Sequence, residues 1–120
     1  MADKIIDYIS GVELNATPEE VESTQVISRI LVEDYGYPKE MIQTRPQFRV
    51  KSSPSDLKGY PIDIAVFEIG NDNKKHLKMI VENKKQSRKD GKEQLELYLK
   101  FSEAQIGIWY NGIESVYIKK

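Results

Sequence analysis

Asp63 and Glu82 stand nineteen positions apart, and each borders an apolar run that reads as a buried strand. Asp63 closes the triplet Pro61-Ile62-Asp63 and Glu82 opens Glu82-Asn83-Lys84. A carboxylate or ammonium taken out of water costs several kcal/mol unless it is paired or bound to a metal. Two acids and a lysine at the ends of neighbouring strands therefore point to a cation site. Oxygen ligands of this kind suit Mg²⁺, with Mn²⁺ as a substitute, because such ions keep several waters and take only one or two carboxylates from a protein. A bound ion would lower the pKa of a water and neutralise charge building on a phosphate. Lys84 would orient that water and stabilise the developing negative charge.

These roles require particular elements. Residues 62–69 and 77–82 are apolar and rich in β-branched side chains, and Gly70-Asn71-Asp72-Asn73 separates them, which predicts an antiparallel hairpin. Pairing of 62–69 with 77–84 sets the start of one strand beside the end of the other, so both carboxylates reach one sheet edge. Side chains alternate along a strand, so Glu82 and Lys84 share a face and Asn83 points away. The plainer reading of the same spacing is a surface salt bridge between Lys84 and Glu82.

A third acid is available from the first helix. Thr17-Pro18-Glu19-Glu20 predicts a helix start, with Thr17 as N-cap, Pro18 at the first helical position and Glu20 placed to complete a capping box. Gly36 and Pro38 predict its end near Tyr35. Val21, Ile27, Ile30 and Leu31 make one apolar face. Seven and eleven positions along an α-helix correspond to turns of about 700° and 1100°, so Glu20 lines up with Ile27 and Leu31 and faces inward. Glu22 faces out.

The remaining elements follow from apolar periodicity and turn residues. Residues 41–51 read as an edge strand interrupted by Pro46, and 52–59 as a polar turn. A helix after Asp90-Gly91 runs to about Phe101 with Leu95, Tyr98 and Leu99 as its buried stripe. Strands at 106–110 and 113–118 flank Asn111-Gly112, a type I′ hairpin signal. Residues 4–14 are a short strand or helical turn. The order αβββαββ gives one α/β domain over 1–120, with helices packed on the sheet.

Several residues carry a functional and a plain reading side by side. Lys84, Lys85, Arg88, Lys89 and Lys92 fall within nine positions, and such a patch can contact phosphates even though net charge is −1. Otherwise it is a solvated loop. Gln94 and Tyr98, one helical turn apart, are boundary packing or an amide brought next to the acids. His76 sits in a probable turn without an identifiable partner. Trp109 and Tyr110 are sheet-face residues, although aromatics beside a basic groove can stack on bases.

Composition narrows the setting. At 120 residues the chain can bury one core, and with no cysteine it has no disulfide or thiolate site and fits a reducing cytoplasm. No run approaches the roughly 20 apolar residues needed to cross a bilayer, so a cytoplasmic protein without a membrane span is expected. No Gly-x-x-x-x-Gly-Lys-Ser/Thr loop is present, which excludes an ATP motor within these residues.

Taken in order, Asp7-Tyr8-Ile9-Ser10-Gly11, Thr17-Pro18-Glu19-Glu20, Gly36-Tyr37-Pro38-Lys39, Asp63-Ile64-Ala65-Val66-Phe67, Val81-Glu82-Asn83-Lys84, Gln94 with Tyr98, and Gly107 with Asn111-Gly112 resemble the PD-(D/E)xK nuclease superfamily. Within it, the chain is most similar to the N-terminal nuclease domain of type I restriction enzyme R subunits and their stand-alone relatives. The resemblance implies a restriction-endonuclease-like α/β fold, with a central mixed sheet of about five strands flanked by helices. It implies a Mg²⁺-dependent endonuclease acting on double-stranded DNA, with Asp63, Glu82 and Glu20 as metal ligands and Lys84 as the catalytic lysine. Gln94 and Tyr98 would form an accessory motif, and Lys85, Arg88, Lys89, Lys92 and Tyr98 would face DNA. Members often have arginine shortly after the helix acid, whereas Val21-Glu22-Ser23-Thr24 stands here and makes Glu22 a rival to Glu20. The position before the strand acid is often Arg-x-Asp; Pro61-Ile62-Asp63 is closer to the superfamily's own signature. Partners would be other restriction-modification subunits or a motor domain. The alternatives are a non-catalytic nucleic-acid-binding module dependent on such subunits, or a protein-interaction domain.

Overall fold

The computed structural model describes residues 3–120. Two short strands, β1 (Lys4–Ile6) and β2 (Glu13–Asn15), form an antiparallel hairpin ahead of the first helix. Helix α1 covers residues 18–34. Thr17 Oγ1 accepts the Glu20 N–H at 3.3 Å, which satisfies one of the donors left free at a helix start. The reciprocal half of the capping box does not form, because the Thr17 N–H donates to Asn15 O instead. At the other end Gly36 takes the left-handed backbone, φ +77°, that lets the Tyr37 N–H reach back to Leu31 O.

Helix α1 is not a uniform α-helix. Wide turns occupy Glu20–Thr24 and Ile30–Asp34 on either side of an α-helical segment, Gln25–Arg29. The Gln25 N–H donates to Glu20 O and the Tyr35 N–H to Ile30 O, each five residues back. Each such turn holds about one residue more than an α turn. This breaks the expected face: Ile27 and Leu31 are buried, but Val21 is 48% exposed.

Five strands form the central sheet in the order β3-β6-β7-β8-β9: β3 (Ile42–Gln43), β6 (Ile64–Ile69), β7 (Lys75–Asn83), β8 (Ile106–Tyr110) and β9 (Ser115–Lys119). Only β7 and β8 are parallel, and α2 (Lys92–Phe101) makes the crossover that parallel neighbours require. The expected single strand over 41–51 is instead two pieces. β3 edges the sheet, while β4 (Arg49–Val50) pairs with β5 (Tyr60–Pro61) in a separate ribbon. The break falls where Thr44 turns inward to Asp7, with 2.6 Å between Thr44 Oγ1 and Asp7 Oδ2.

The two sheet faces bury separate cores. Ile64, Val66, Met79, Val81 and Ile108 pack with Ile27 and Leu31 of α1. Ala65, Leu77, Ile80 and Trp109 pack with Leu95, Tyr98 and Leu99 of α2. A bulge between Val66 and Phe67, opposite Lys78, lets Leu77 and Met79 face opposite sides. The β8–β9 connection is also unlike the expected two-residue turn. Tyr110 pairs with Ser115, so the loop has four residues, and buried Asn111 accepts the N–H groups of Ile113 and Glu114 on its side-chain oxygen. Among the described residues, no helix is long and apolar enough to cross a membrane.

His76 has partners the sequence did not suggest: its Nε2 lies 2.8 Å from Asp72 and its Nδ1 2.6 Å from Glu103, tying the β6–β7 turn to the end of α2. Asp72, and after it Glu103, holds the imidazole pKa above its ordinary 6.5. Folding thus favours the protonated ring. The stability it contributes is complete below about pH 6.5 and disappears as pH rises through the raised value. His76→Gln is therefore expected to lower the melting temperature in mildly acidic buffer and to have little effect in alkaline buffer. Circular-dichroism melts across that range would refute the assignment if the loss were independent of pH.

Candidate active site

The β6–β7 hairpin carries the central pair. Ile64 pairs with Val81, so the next step outward brings Asp63 beside Glu82. Asp63 Oδ2 accepts the Asn83 N–H at 2.8 Å, and Asp63 Oδ1 lies 3.4 Å from Gln47 Nε2. The two carboxyls are close enough for each to act on the other's ionisation. Burial raises the Asp63 pKa against the opposing pull of the Asn83 N–H and Lys84. Burial, followed by the charge of Asp63, pushes Glu82 up to about 9. Two neighbouring carboxyls oppose one another's ionisation, and a compensating cation would favour both charges.

Lys84 lies on the same side of the sheet as Glu82, with 3.9 Å between Nζ and Oε1 and only 14% of its side chain exposed. Its stem passes beneath Gly91: a Cβ at that position would sit 2.7 Å from Lys84 Cε. Asn83 points to the other face, where it meets Ser23 of α1 at 3.2 Å. Ser23 Oγ lies 2.9 Å from Tyr110 O as well as reaching Asn83 Oδ1, and Asn83 Nδ2 is buried without a hydrogen-bond partner.

The two helix acids meet different neighbours. Glu20 is buried, but its carboxylate faces Arg45 Nη2 at 3.0 Å and Gln25 Nε2 at 3.2 Å rather than joining Asp63 and Glu82. Glu19 is close enough for its carboxyl to feel the charge of Asp63. Burial, then the charge of Asp63, raises its pKa, and the Lys84 and Arg88 cations oppose this. Glu22 turns to the following loop, where its Oε1 accepts the Gln86 N–H at 3.3 Å. Among the described residues, no group of three or more His, Cys, Asp or Glu side chains is gathered to hold a metal ion. Asp63 and Glu82 are a two-carboxylate set.

On α2, Gln94 Nε2 donates to the Tyr98 hydroxyl at 2.6 Å. Tyr98 is buried and stacks on Tyr60 with 5.3 Å between ring centroids, so it walls the site rather than facing a duplex. Burial and then the Glu82 charge raise its pKa, which places the hydroxyl within electrostatic reach of the carboxyl pair.

The basic loop after β7 is tied down rather than free. Asn111 Nδ2 donates to Arg88 O at 2.9 Å, and Trp109 Nε1 donates to Asp90 O at 2.8 Å. Trp109 is fully buried, which rules out stacking on bases; Lys92 Nζ lies 4.5 Å above its ring. Arg88 pairs with Asp90, and Lys89 with Glu114 at 3.0 Å. Lys85 is exposed. Two of the four loop cations offered for DNA are therefore already matched by acids of this chain.

Three contributors escape the sequence reading: Glu19, Arg45 and Asn111. Arg45-Pro46 sits in a stretch without periodicity, and Asn111-Gly112 carries a stronger hairpin signal than any signal for a buried clamp.

The chain is thus a five-stranded mixed sheet with helices packed on its two faces, and an acid pair and a lysine stand at the margin of β6 and β7. Residues 18–120 match the type I restriction enzyme R protein N terminus, and the chain belongs to that family. No curated protein and no solved structure matches it.

Proposed function

We propose that this domain is a divalent-cation-dependent endonuclease of the restriction-endonuclease-like fold, hydrolysing phosphodiesters of double-stranded DNA. One observation carries the reading: two neighbouring carboxyls, the half-buried Asp63 and the buried Glu82, lie beside the Lys84 ammonium in a chain of the type I R family. The donor set fits Mg²⁺ or Mn²⁺. A cation between two hard carboxylates would satisfy both charges while keeping waters in its remaining positions.

Asp63 and Glu82 would hold the ion, and Glu19 would add a third negative charge from α1. When bound, the metal supplies a water of lowered pKa and neutralises phosphate charge. Lys84 orients the attacking water and stabilises the negative charge that builds on the phosphate. Tyr98, held by Gln94, fixes the wall next to Glu82 and excludes water from that side. Other restriction-modification subunits, or a motor domain, would deliver the duplex.

The test is incubation of the protein with duplex DNA in Mg²⁺ or Mn²⁺ and, in parallel, in EDTA. Strand breaks confined to the metal-containing samples are expected. Cleavage that persists in EDTA would sink the reading, as would duplex binding without breaks at any metal concentration.

A further inference from the structure

The segment between β3 and β4 delivers side chains to three neighbours in sequence: Thr44 to Asp7, Arg45 to Glu20 and Gln47 to Asp63. Asp7 is 1% exposed, and its other oxygen accepts from Gln25 Nε2 at 2.8 Å. Gln25 also reaches Glu20 Oε1, so both Glu20 oxygens are occupied and its carboxylate cannot swing. Hydrogen bonds from Gln25, Thr44 and Ser10 outweigh burial and hold the Asp7 carboxyl below the usual range. The Asp7 carboxyl therefore stays charged at neutral pH.

At the end of this chain of contacts stands a guanidinium with donors to spare. Arginine has five N–H groups, and Glu20 takes one at 3.0 Å. Glu20 is nearly covered at 8% side-chain exposure, while Arg45 is 37% exposed. The arginine opens onto a groove of about 530 Å³ whose other cations are Lys39 and Lys75 and whose one acid is Glu40. Two positions further on, Gln47 Nε2 lies 3.4 Å from Asp63 Oδ1, so the same segment ends at the acid centre. A pre-oriented arginine with outward donors, between a cationic groove and an acid centre, is suited to a phosphate, which it can engage through two parallel N–H groups.

We propose that Arg45 is a substrate-binding residue: its outward N–H groups hold a backbone phosphate of duplex DNA, next to the one cut at Asp63 and Glu82. The inference rests on the nuclease reading of that site. A merely structural Arg45, present only to neutralise Glu20, makes a different forecast.

The whole protein is titrated onto a fluorescent duplex with Ca²⁺ replacing Mg²⁺, over a range of salt. The variant is Arg45→Gln combined with Glu20→Gln, which keeps a hydrogen-bonding pair and leaves no buried charge alone. Thermal melts establish that it is folded. We expect affinity to fall roughly tenfold and the slope of log affinity against log salt to lose about 0.9, the contribution of one phosphate contact. Arg49→Gln, which removes the same charge from the exposed β4–β5 ribbon, should leave the slope in place. Wild-type affinity and slope in the double variant would overturn the inference, and so would an equal change in Arg49→Gln. A wild type that does not bind duplex overturns it together with the DNA reading. A wild type that binds with an Arg45-dependent slope but never cleaves supports the contact and sinks only the nuclease.

Discussion

Asp63→Ala is expected to lose Mn²⁺ binding and duplex cleavage together while remaining folded, with the rate falling by at least roughly 10²–10³-fold. The chemistry depends on Asp63 twice: as half of the carboxylate set, and as the acceptor that fixes the Asn83 N–H between Glu82 and Lys84. Removing it leaves that N–H without its partner, a loss of about 1–3 kcal/mol. It also removes the charge that presses on the buried Glu82 carboxyl. The two effects oppose one another, so the melting temperature should move by only a few degrees. Calorimetric titration with Mn²⁺, beside a melt of the same sample, separates the outcomes. Unfolding in parallel with lost metal binding would mean that Asp63 is structural. Asp63→Asn, which keeps an acceptor for Asn83, should restore any lost stability without restoring the ion.

The second large effect concerns a residue with no functional group. Gly91→Ala is expected to slow cleavage by about 10- to 100-fold, because an ångström-scale displacement of a catalytic group has that consequence. Gly91 holds φ at +98°, and its missing Cβ is the space that the Lys84 stem fills, 2.7 Å from Cε. An alanine there meets both the left-handed backbone penalty of roughly 1–2 kcal/mol and a collision that pushes Lys84 off Glu82. Urea unfolding reads the first effect, and single-turnover cleavage at saturating metal reads the second. Reduced stability with an unchanged rate would show that the ammonium need not occupy this position. A useful comparison is Gly70→Ala in the β6–β7 turn, where the added Cβ meets the movable His76 ring at 2.6 Å and nothing of the acid centre.

How much of this arrangement is legible in the chain depends on whether local or distant contacts decide it. The meeting of Asp63 with Glu82 follows from a hairpin whose register is set by its own apolar residues, and Lys84 follows Glu82 to the same face because strand periodicity is two. Both inferences need only neighbouring residues. The helix acid does not work this way. A wide turn at Glu20–Thr24 has no residue signature of its own, and Glu20 is buried there against Arg45 and Gln25, while Glu19 is the helix acid that feels the charge of Asp63. Arg45 and Thr44 are placed by partners at Glu20 and Asp7, 25 and 37 positions away, which is why 41–51 reads as one strand and folds as two. Asn111 is a similar case: its side chain serves a loop more than twenty residues earlier, and the adjacent glycine suggests only a tight turn.

The strand that carries Glu82 and ends one residue before Lys84 lies third of five, bonded to β6 on one side and β8 on the other. Hydrogen bonds in such a position open only when the sheet itself comes apart. Fraying at β3, at β9 or in the β1–β2 hairpin can proceed without disturbing the acids, so warming should leave activity intact until the cooperative transition and then abolish it in one step.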